Sequence, residues 1–308
     1  MQQMNKILSA YRNNRYSFEQ IVEELTVRPE VQELLVNHSE IKPRHITQSV
    51  TRIKLACDEA DNCRACPGLA DCANLLKGHQ ALLEWTGLSI EAQHRPCRLE
   101  LMDREQRQRE KLIQTHHIPK EISLASFANI DPNPERAKAI AAMMEFSQTV
   151  QPGQPGAKGV YLYGPFGVGK SHLMGAAARR LAERGIASLM VYMPDFFREL
   201  KDSFSDNSVQ QKIDVLKQVP VLILDDIGAE TLSPWARDEI LGAILQYRVS
   251  ENFPVLYTSN YNYDELQEHL SYSQKAGMEQ LKAMRIMERI RYYTDDHKVD
   301  GDNRRIRK

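Results

Sequence analysis

The chain has 308 residues, about twice the length of a typical domain, which favours two domains. Apolar residues make up 42% and charged residues 26%, with 15 glycines and 14 prolines, and this composition excludes a low-complexity or disordered chain. The 40 basic and 41 acidic side chains nearly cancel, so no overall basic field indicates nucleic acid or an anionic membrane. Any such binding must be local.

The apolar runs of the sequence are short. The longest, 219–224, falls far below the roughly 20 residues that a membrane-spanning helix needs. The first 16 residues are polar and basic, without an apolar stretch of signal-peptide length. We therefore expect a cytoplasmic protein that does not contact a membrane.

The first third of the chain has the pattern of a small helical domain. Apolar residues recur every three to four positions in 17–35 and 46–55, and the pattern resumes in 75–88 after a cysteine-bearing stretch. The next residues, 98–114, are dominated by Arg, Glu, Gln, Lys and Asp, as in a solvated helix or connector. We predict a mainly helical domain over 1–98, a charged linker over 99–119 and a second domain over 120–308.

All five cysteines lie in that first third, so their clustering needs a local cause. Cys63 and Cys66 have the C-x2-C spacing that lets two thiolates face one ion, and in a reducing compartment metal is a commoner cause than a disulfide. We predict that the N-terminal domain is zinc-binding. The ligands would be Cys63, Cys66 and Cys97, with Cys72 favoured over His79 as the fourth.

Two other roles for these cysteines are disfavoured. A redox C-x2-C pair usually follows a strand, and no strand is predicted before Cys63. A catalytic zinc ion is also disfavoured, because Cys-rich coordination without a nearby carboxylate base is typical of closed structural sites. Cys57 is left out of the ligand set. Chelation should then unfold the first hundred residues selectively.

The second domain has short apolar strands that alternate with amphipathic helices. Such alternation is typical of a parallel sheet covered on both faces, the three-layer α/β arrangement, whose ligands bind at the carboxyl ends of the strands. A helix is predicted over 137–146, before the first of these strands. The strands are predicted at 159–163, 188–193, 219–227 and 253–259, and the helices between them begin at Lys170, Pro194, Val209 and Trp235.

Between the first strand and its helix lies a sequence that matches G-x4-G-K-[ST]. In such a loop the backbone amides and the helix N-terminus bind phosphates. Lys170 would neutralise charge near the terminal phosphates, and Ser171 would bind Mg²⁺. The predicted nucleotide-binding residues are Gly164, Pro165, Phe166, Gly167, Val168, Gly169, Lys170, Ser171 and His172.

Two further strands end in polar residues that could complete this site. The run 221–226 ends in Asp225, which would hold the magnesium ion, and Asp226, which would orient the attacking water. Asn260 follows the fourth strand and could donate to the γ-phosphate or to that water. Taken alone, Asn260 has the turn before Tyr261 as a less favoured alternative, and an apolar strand ending in two acids is a weak signal.

These motifs resemble the Walker A, Walker B and sensor 1 motifs of AAA+ ATPases over residues 120–300. More specific sequence motifs resemble those of the bacterial primosomal helicase-loader branch, the DnaC and DnaI families. These motifs lie at 162–164, 194–201, 224–230 and 285–289. The cysteine-bearing N-terminal domain narrows the resemblance to the DnaI type.

The resemblance implies an ATPase that delivers a hexameric, DnaB-type replicative helicase onto single-stranded DNA during primosome assembly. It also implies that the N-terminal domain contacts the helicase and that the ATPase domain contacts single-stranded DNA. The implied cofactors are ATP and Mg²⁺, beside the Zn²⁺ predicted above, and assembly or DNA is expected to stimulate hydrolysis.

The sequence departs from the wider superfamily near its end. Only 17 residues follow Arg291, too few for a full helical lid with its sensor 2 arginine. We therefore expect self-association, with a neighbouring subunit supplying an arginine in trans. Arg289 is the first candidate and Arg285 the second, although a basic helix face in water is an equally simple explanation.

The segment 196–204 mixes aromatic and basic residues, a combination that can bind single strands. Phe196, Phe197 and Phe204 are better explained as core residues at helical spacing, which leaves Arg198 and Lys201 as weak candidates for DNA contact.

Two rival functions remain open. One is a helper ATPase for DNA transposition, which shares the ATPase module but normally lacks the zinc domain. The other is a zinc-stabilised adaptor that uses ATP only as an assembly switch, because Asp226 is one methylene shorter than the usual glutamate.

Overall fold

The computed structural model describes residues 18–131, 133–202, 209–230, 233–273 and 277–305. The chain divides into two compact units, Met1–Gln106 and Arg107–Lys308, and each has its own apolar core. Phe204, which the sequence places in a helix core, lies outside the described residues. None of the helices in the described ranges is long and apolar enough to cross a membrane.

Between residues 18 and 97, the first unit consists of four helices followed by a β-hairpin. Its core is formed by side chains such as Val31, Ile53 and Ile90, which are completely buried. Proline stands at the first turn of two of the helices, where its missing N–H costs nothing. The elements are α1 (Phe18–Thr26), α2 (Pro29–Asn37), α3 (Pro43–Gln48), α4 (Val50–Arg64), β1 (His79–Trp85) and β2 (Ile90–Pro96).

The hairpin corrects the prediction that the helical pattern resumes in 75–88. A short apolar run fits the periodicity of a helix and that of a strand, and here the turn between the two segments favours the strands. Gly87 has φ of 87°, and the Thr86 and Ser89 backbones are joined by a 3.1 Å hydrogen bond across the turn. Glu59 on α4, which is buried, accepts from Ala81 N at 2.7 Å and from Leu75 N at 3.0 Å. The hairpin is thereby held on the helices.

The predicted linker 99–119 differs from the structure in part. Helix α5 (Arg98–Leu112) has no buried residue, as expected for a solvated helix. However, β3 (Ile113–His116) pairs with a strand of the second unit, so the sheet begins before residue 120. Its sequence has a single apolar residue, which is why no strand was predicted there.

The second unit is a three-layer α/β structure, which confirms the predicted parallel sheet. Its six strands are all parallel, in the order β10-β4-β7-β6-β5-β3. Strands β8 and β9 form a separate antiparallel pair. The strands are β3, β4 (Gly159–Tyr163), β5 (Ser188–Tyr192), β6 (Val221–Asp225), β7 (Val255–Ser259), β8 (Tyr272–Ser273), β9 (Gly277–Met278) and β10 (Thr294–Lys298).

Helices cover both faces of this sheet. Alternate residues of β6 belong to the two cores, with Val221 and Ile223 on one face and Leu222 and Leu224 on the other. The helices are α6 (Lys120–Ser123), α7 (Ala137–Thr149), α8 (Lys170–Glu183), α9 (Met193–Asp202), α10 (Val209–Gln218), α11 (Gly242–Ser250), α12 (Tyr263–Ser271) and α13 (Gln280–Tyr292), and a π-helix spans Ala236–Leu241.

The strand order positions the polar residues. Strand β7 lies between β4, which leads into the glycine-rich loop, and β6, which ends in the two acids. The residue that follows β7 is therefore placed between the loop and the acids. The edge strand β10 was not predicted, because its sequence, TDDHK, has no apolar run.

Candidate nucleotide-binding site

The loop between β4 and α8 has backbone conformations that favour glycine. Gly167 has φ of 77°, and Gly169, the N-cap of α8, has φ of 98°. These left-handed values are strained for residues with a Cβ atom. The Val168 side chain is buried in the core, so this residue can offer only its backbone, while Phe166 and His172 are exposed. The loop and the first turn of α8 form a concave row of amides suited to phosphate.

The Lys170 side chain turns back over this loop. Its Nζ donates to Gly164 O at 2.7 Å, to Pro165 O at 2.8 Å and to Asn260 Oδ1 at 2.9 Å. Burial lowers the pKa of Lys170 to about 8, and the nearby Asp226 and Asp225 carboxylates oppose this shift. The ammonium group is thus held at the site by groups that phosphate oxygens can replace.

Ser171 and the end of β6 form the second part of the site. Ser171 Oγ donates to the Asp225 carboxylate, at 2.8 Å from Oδ1 and 3.1 Å from Oδ2. Thr258 Oγ1 donates to the same carboxylate at 2.6 Å. Burial raises the pKa of Asp225, and the two hydroxyl donors act in the opposite direction. A carboxylate beside a serine hydroxyl is the hard oxygen donor set that suits Mg²⁺.

Asp226 leaves the strand with φ of 61°, a left-handed conformation that aspartate tolerates. Its N–H donates to Thr258 Oγ1 at 2.8 Å, and its Oδ1 accepts from Asn260 Nδ2 at 3.1 Å. Asn260 therefore contacts both Lys170 and Asp226. The structure brings together the predicted residues of all three motifs.

Sequence reasoning missed several groups around this site. The hydroxyl of Thr258 contacts both acids, and it was not predicted as a site residue. Arg136, which is 3% exposed, donates to Val168 O at 3.2 Å, and nothing in its sequence context predicts this. Arg304 N donates to Gly167 O at 3.0 Å. Asn303 Oδ1 lies 2.0 Å from where a Cβ on Gly167 would stand.

The two arginines predicted to act in trans on a neighbouring subunit, Arg289 and Arg285, both lie on α13. Arg289 is half-buried, with its Nε donating to Gln246 Oε1 at 2.9 Å, and Arg285 is exposed. Exposed apolar side chains share this helix, among them Leu281 at 75% and Tyr292 at 70% exposure.

The candidate zinc ligands lie in the first unit. Burial raises the pKa of the Cys63 thiol, the hydrogen bond from Asn74 opposes this shift, and the Cys66, Cys72 and Cys97 sulfurs add to it. Cys63 Sγ accepts from Asn74 Nδ2 at 3.3 Å, and Cys72 Sγ accepts from Gly78 N at 3.5 Å.

His79 and Cys57, two other residues of this region that could bind zinc, have different surroundings. The His79 ring is engaged elsewhere, with Nδ1 3.0 Å from Lys77 O and Nε2 3.4 Å from an Arg104 nitrogen. Cys57 is buried in the helical core at 2% exposure. In the described ranges, no group of three or more of these sulfurs has all its donor atoms within 4.8 Å.

The parallel sheet, the glycine-rich loop and the acids after β6 define a P-loop protein of the AAA+ type. Residues 94–308 match the IstB-like ATP binding protein family, and residues 1–93 match the family described as primosomal protein DnaI N-terminus. The chain therefore belongs to the IstB-like ATP binding proteins and, among them, to the DnaI family.

Individual relatives agree with this assignment. The replicative helicase loader DnaI of Bacillus subtilis (strain 168) is 36% identical over 289 residues, 93% of each chain. A crystal structure of DnaI is 46% identical, with a TM-score of 0.56, over 64% of this chain and 99% of that one. A putative primosome component from Streptococcus pyogenes serotype M3 is 35% identical, with a TM-score of 0.54, over 65% and 98%.

Proposed function

We propose that this protein is an ATP-dependent loader that delivers a hexameric replicative helicase onto single-stranded DNA during primosome assembly. The single observation that carries the proposal is the match to a replicative helicase loader along nearly the whole chain. The match of residues 1–93 to the DnaI N-terminus supports a loader over a transposition helper, for which no such domain is expected.

For ATP hydrolysis, the glycine-rich loop and Lys170 would bind the phosphates. Ser171 and Asp225 would hold a magnesium ion, which neutralises charge on the β- and γ-phosphates when bound. Asp226 would orient the attacking water, and Asn260, within hydrogen-bond distance of both Lys170 and Asp226, would fix its position. These residues supply positioning and electrostatic stabilisation, the main contributions to phosphoryl transfer.

A subunit in trans would supply a further positive charge. Arg289, with Arg285 as second choice, lies on a helix whose exposed face carries Leu281, Met284 and Tyr292. Exposed apolar residues beside arginine are typical of protein interfaces. This supports assembly of the protein with copies of itself on the helicase.

Structural zinc would hold the first unit together through Cys63, Cys66, Cys72 and Cys97. The fit rests on the donor set: four free thiols, with backbone and amide N–H groups directed at two of the sulfurs. The engagement of both His79 nitrogens favours Cys72 as the fourth ligand.

The contacts with partners follow from this assignment. The N-terminal domain, predicted over 1–98, would bind the helicase, and the ATPase domain, predicted over 120–308, would bind DNA. On α9, Phe196, Phe197 and Leu200 are buried, which confirms them as core, while Arg198 and Lys201 are exposed and could contact phosphates. A role at the chromosome would place the protein in the cytoplasm.

The experiment is helicase loading onto circular single-stranded DNA, measured as strand displacement, with phosphate release measured in parallel. Wild type should load and should hydrolyse ATP faster with DNA and helicase present. Lys170→Ala should lose both, whereas a surface control such as Glu145→Ala on α7 should retain both. Loading without any phosphate release would indicate the adaptor with an ATP switch, and no loading by wild type would reject the proposal.

A further inference from the structure

A second group of metal-ligand side chains lies away from the nucleotide site. His116 is the last residue of the edge strand β3, His117 follows it, and Glu199 lies on α9. His116 Nε2 is 2.6 Å and His117 Nε2 is 2.9 Å from the same carboxylate oxygen, Glu199 Oε2. In the part of the chain that the structure describes, this is the only group of three or more His, Cys, Asp or Glu side chains whose donor atoms all lie within 4.8 Å of one another.

The backbone makes this convergence possible. Successive side chains of an extended strand point to opposite faces, so two adjacent histidines would ordinarily diverge. His117 has φ of 58°, which ends the alternation and turns both rings to one side, with centroids 4.3 Å apart. A left-handed residue other than glycine costs about 1–2 kcal/mol. The fold tolerates that cost at the residue that completes the cluster.

We propose that His116, His117 and Glu199 form a binding site for a divalent transition-metal ion of the zinc class. Two imidazole nitrogens and one carboxylate oxygen are a donor set that zinc uses, with a fourth position left for water. Binding requires the Nε2 lone pairs, so each neutral ring moves its proton from Nε2 to Nδ1, and any protonated ring releases one. The ion would connect the edge strand to α9.

Lys212 on α10 is a cation beside this cluster. Its Nζ lies 2.6 Å from Glu199 Oε1, the oxygen that the histidines do not contact. Metal-binding carboxylates are commonly hydrogen-bonded through their second oxygen, so this contact is compatible with an ion at Oε2. The Lys212 side chain is 28% exposed, and solvent therefore screens the repulsion between the two cations.

The test uses the full chain as purified, without chelation, so that any metal on the cysteines stays in place. It is titrated with Co²⁺, a spectroscopic substitute for Zn²⁺. We expect one saturable site whose visible absorption lacks the thiolate-to-cobalt charge-transfer band. Its affinity should fall at least about tenfold in His117→Asn, which retains a residue that tolerates φ above zero, and in the isosteric Glu199→Gln.

The matched control is His38→Asn, because His38 Nδ1 also lies near a carboxylate, Glu40 at 3.4 Å, but in a pair only. This variant should bind Co²⁺ like wild type. A wild type without the saturable site, or equal affinity in wild type and both variants, would show that the cluster is purely hydrogen-bonded. An equal loss in the control would show adventitious surface binding. If His117→Asn unfolds early in thermal denaturation, Glu199→Gln decides.

Discussion

Asn260 Oδ1 accepts a hydrogen bond from Lys170 Nζ at 2.9 Å, although the two residues are 90 positions apart in the sequence. The contact arises because β7 lies between β4 and β6 in the sheet. The other end of the same amide donates to Asp226. One side chain therefore connects the phosphate-binding cation to the acid proposed to orient water, and this relationship gives the first prediction.

Replacing Asn260 by Ala should lower the rate of ATP hydrolysis by about 100-fold, because one preorganised polar group is lost from the reacting centre. Nucleotide affinity should change little, since the loop and Lys170 remain. Single-turnover hydrolysis and fluorescent-nucleotide titration measure the two effects. Asn262→Ala is the matched control: Asn262 caps α12, so its loss should cost about 1 kcal/mol of stability without changing turnover. Equal turnover in the two variants would contradict the assignment.

Nucleotide affinity should weaken as pH rises through about 8. The free protein has Lys170 with a pKa of about 8, and phosphate binding favours the protonated form. Above that pH, binding must therefore take up a proton, and affinity should fall by about tenfold between pH 7 and pH 9. Titration of a fluorescent ATP analogue across this range measures it. Lys170→Arg should give a flat profile at whatever affinity it retains, because arginine stays protonated. A flat wild-type profile would contradict the prediction.

Arg248 should be a major determinant of stability. It is 1% exposed and makes five hydrogen bonds to the backbone carbonyls of Leu216, Lys217, Val219, Pro220 and Pro254. Arg248→Met leaves buried carbonyls unpaired, and we expect a loss of about 3 kcal/mol or more in the free energy of unfolding.

The control for that measurement is Arg184→Met. Arg184 also donates to two carbonyls, of Ser147 and Val150, but it is exposed, so water can replace it and the loss should be about 1 kcal/mol. Denaturant unfolding followed by circular dichroism compares the two. Equal midpoints would show that burial adds nothing at Arg248.

The cysteines should separate into two groups when zinc content is measured on purified protein. Cys63→Ser combined with Cys66→Ser should remove the metal and make the first unit sensitive to proteolysis, because metal binding contributes directly to folding. Cys57→Ala should keep the metal, because Cys57 packs in the helical core and is not one of the proposed zinc ligands. Zinc-free wild type that resists proteolysis would contradict a structural zinc ion.

Arg289→Ala should leave ATP affinity unchanged and remove the stimulation of hydrolysis by DNA and helicase, since an arginine in trans acts mainly on the transition state. Arg291→Ala is the control on the same helix. Arg291 bonds Asp264 at 2.6 Å, so a local role explains it and stimulation should persist. If stimulated turnover in Arg289→Ala equals that of wild type, Arg289 is not the arginine that acts in trans, and Arg285 becomes the candidate to test.

The interior strands of the sheet and the three motifs could be predicted from the sequence, because a buried strand is a continuous apolar run and phosphate loops need glycine at fixed positions. The edge strands β3 and β10 could not, since a polar edge strand has no such run. The hairpin of the first unit was predicted as helix, because the apolar run 81–83 fits both periods. Thr258 and Arg136 reach the site because of the strand order and because distant parts of the chain pack together. Local sequence patterns do not encode either of these.

The bond from Arg304 N to Gly167 O, and the Asn303 side chain against Gly167, join the far end of the chain to the loop proposed to grip phosphate. A shift of that loop on nucleotide capture must strain or release this junction. A dye attached near the carboxyl end should therefore report occupancy of the proposed nucleotide site, and purification tags belong at the opposite end.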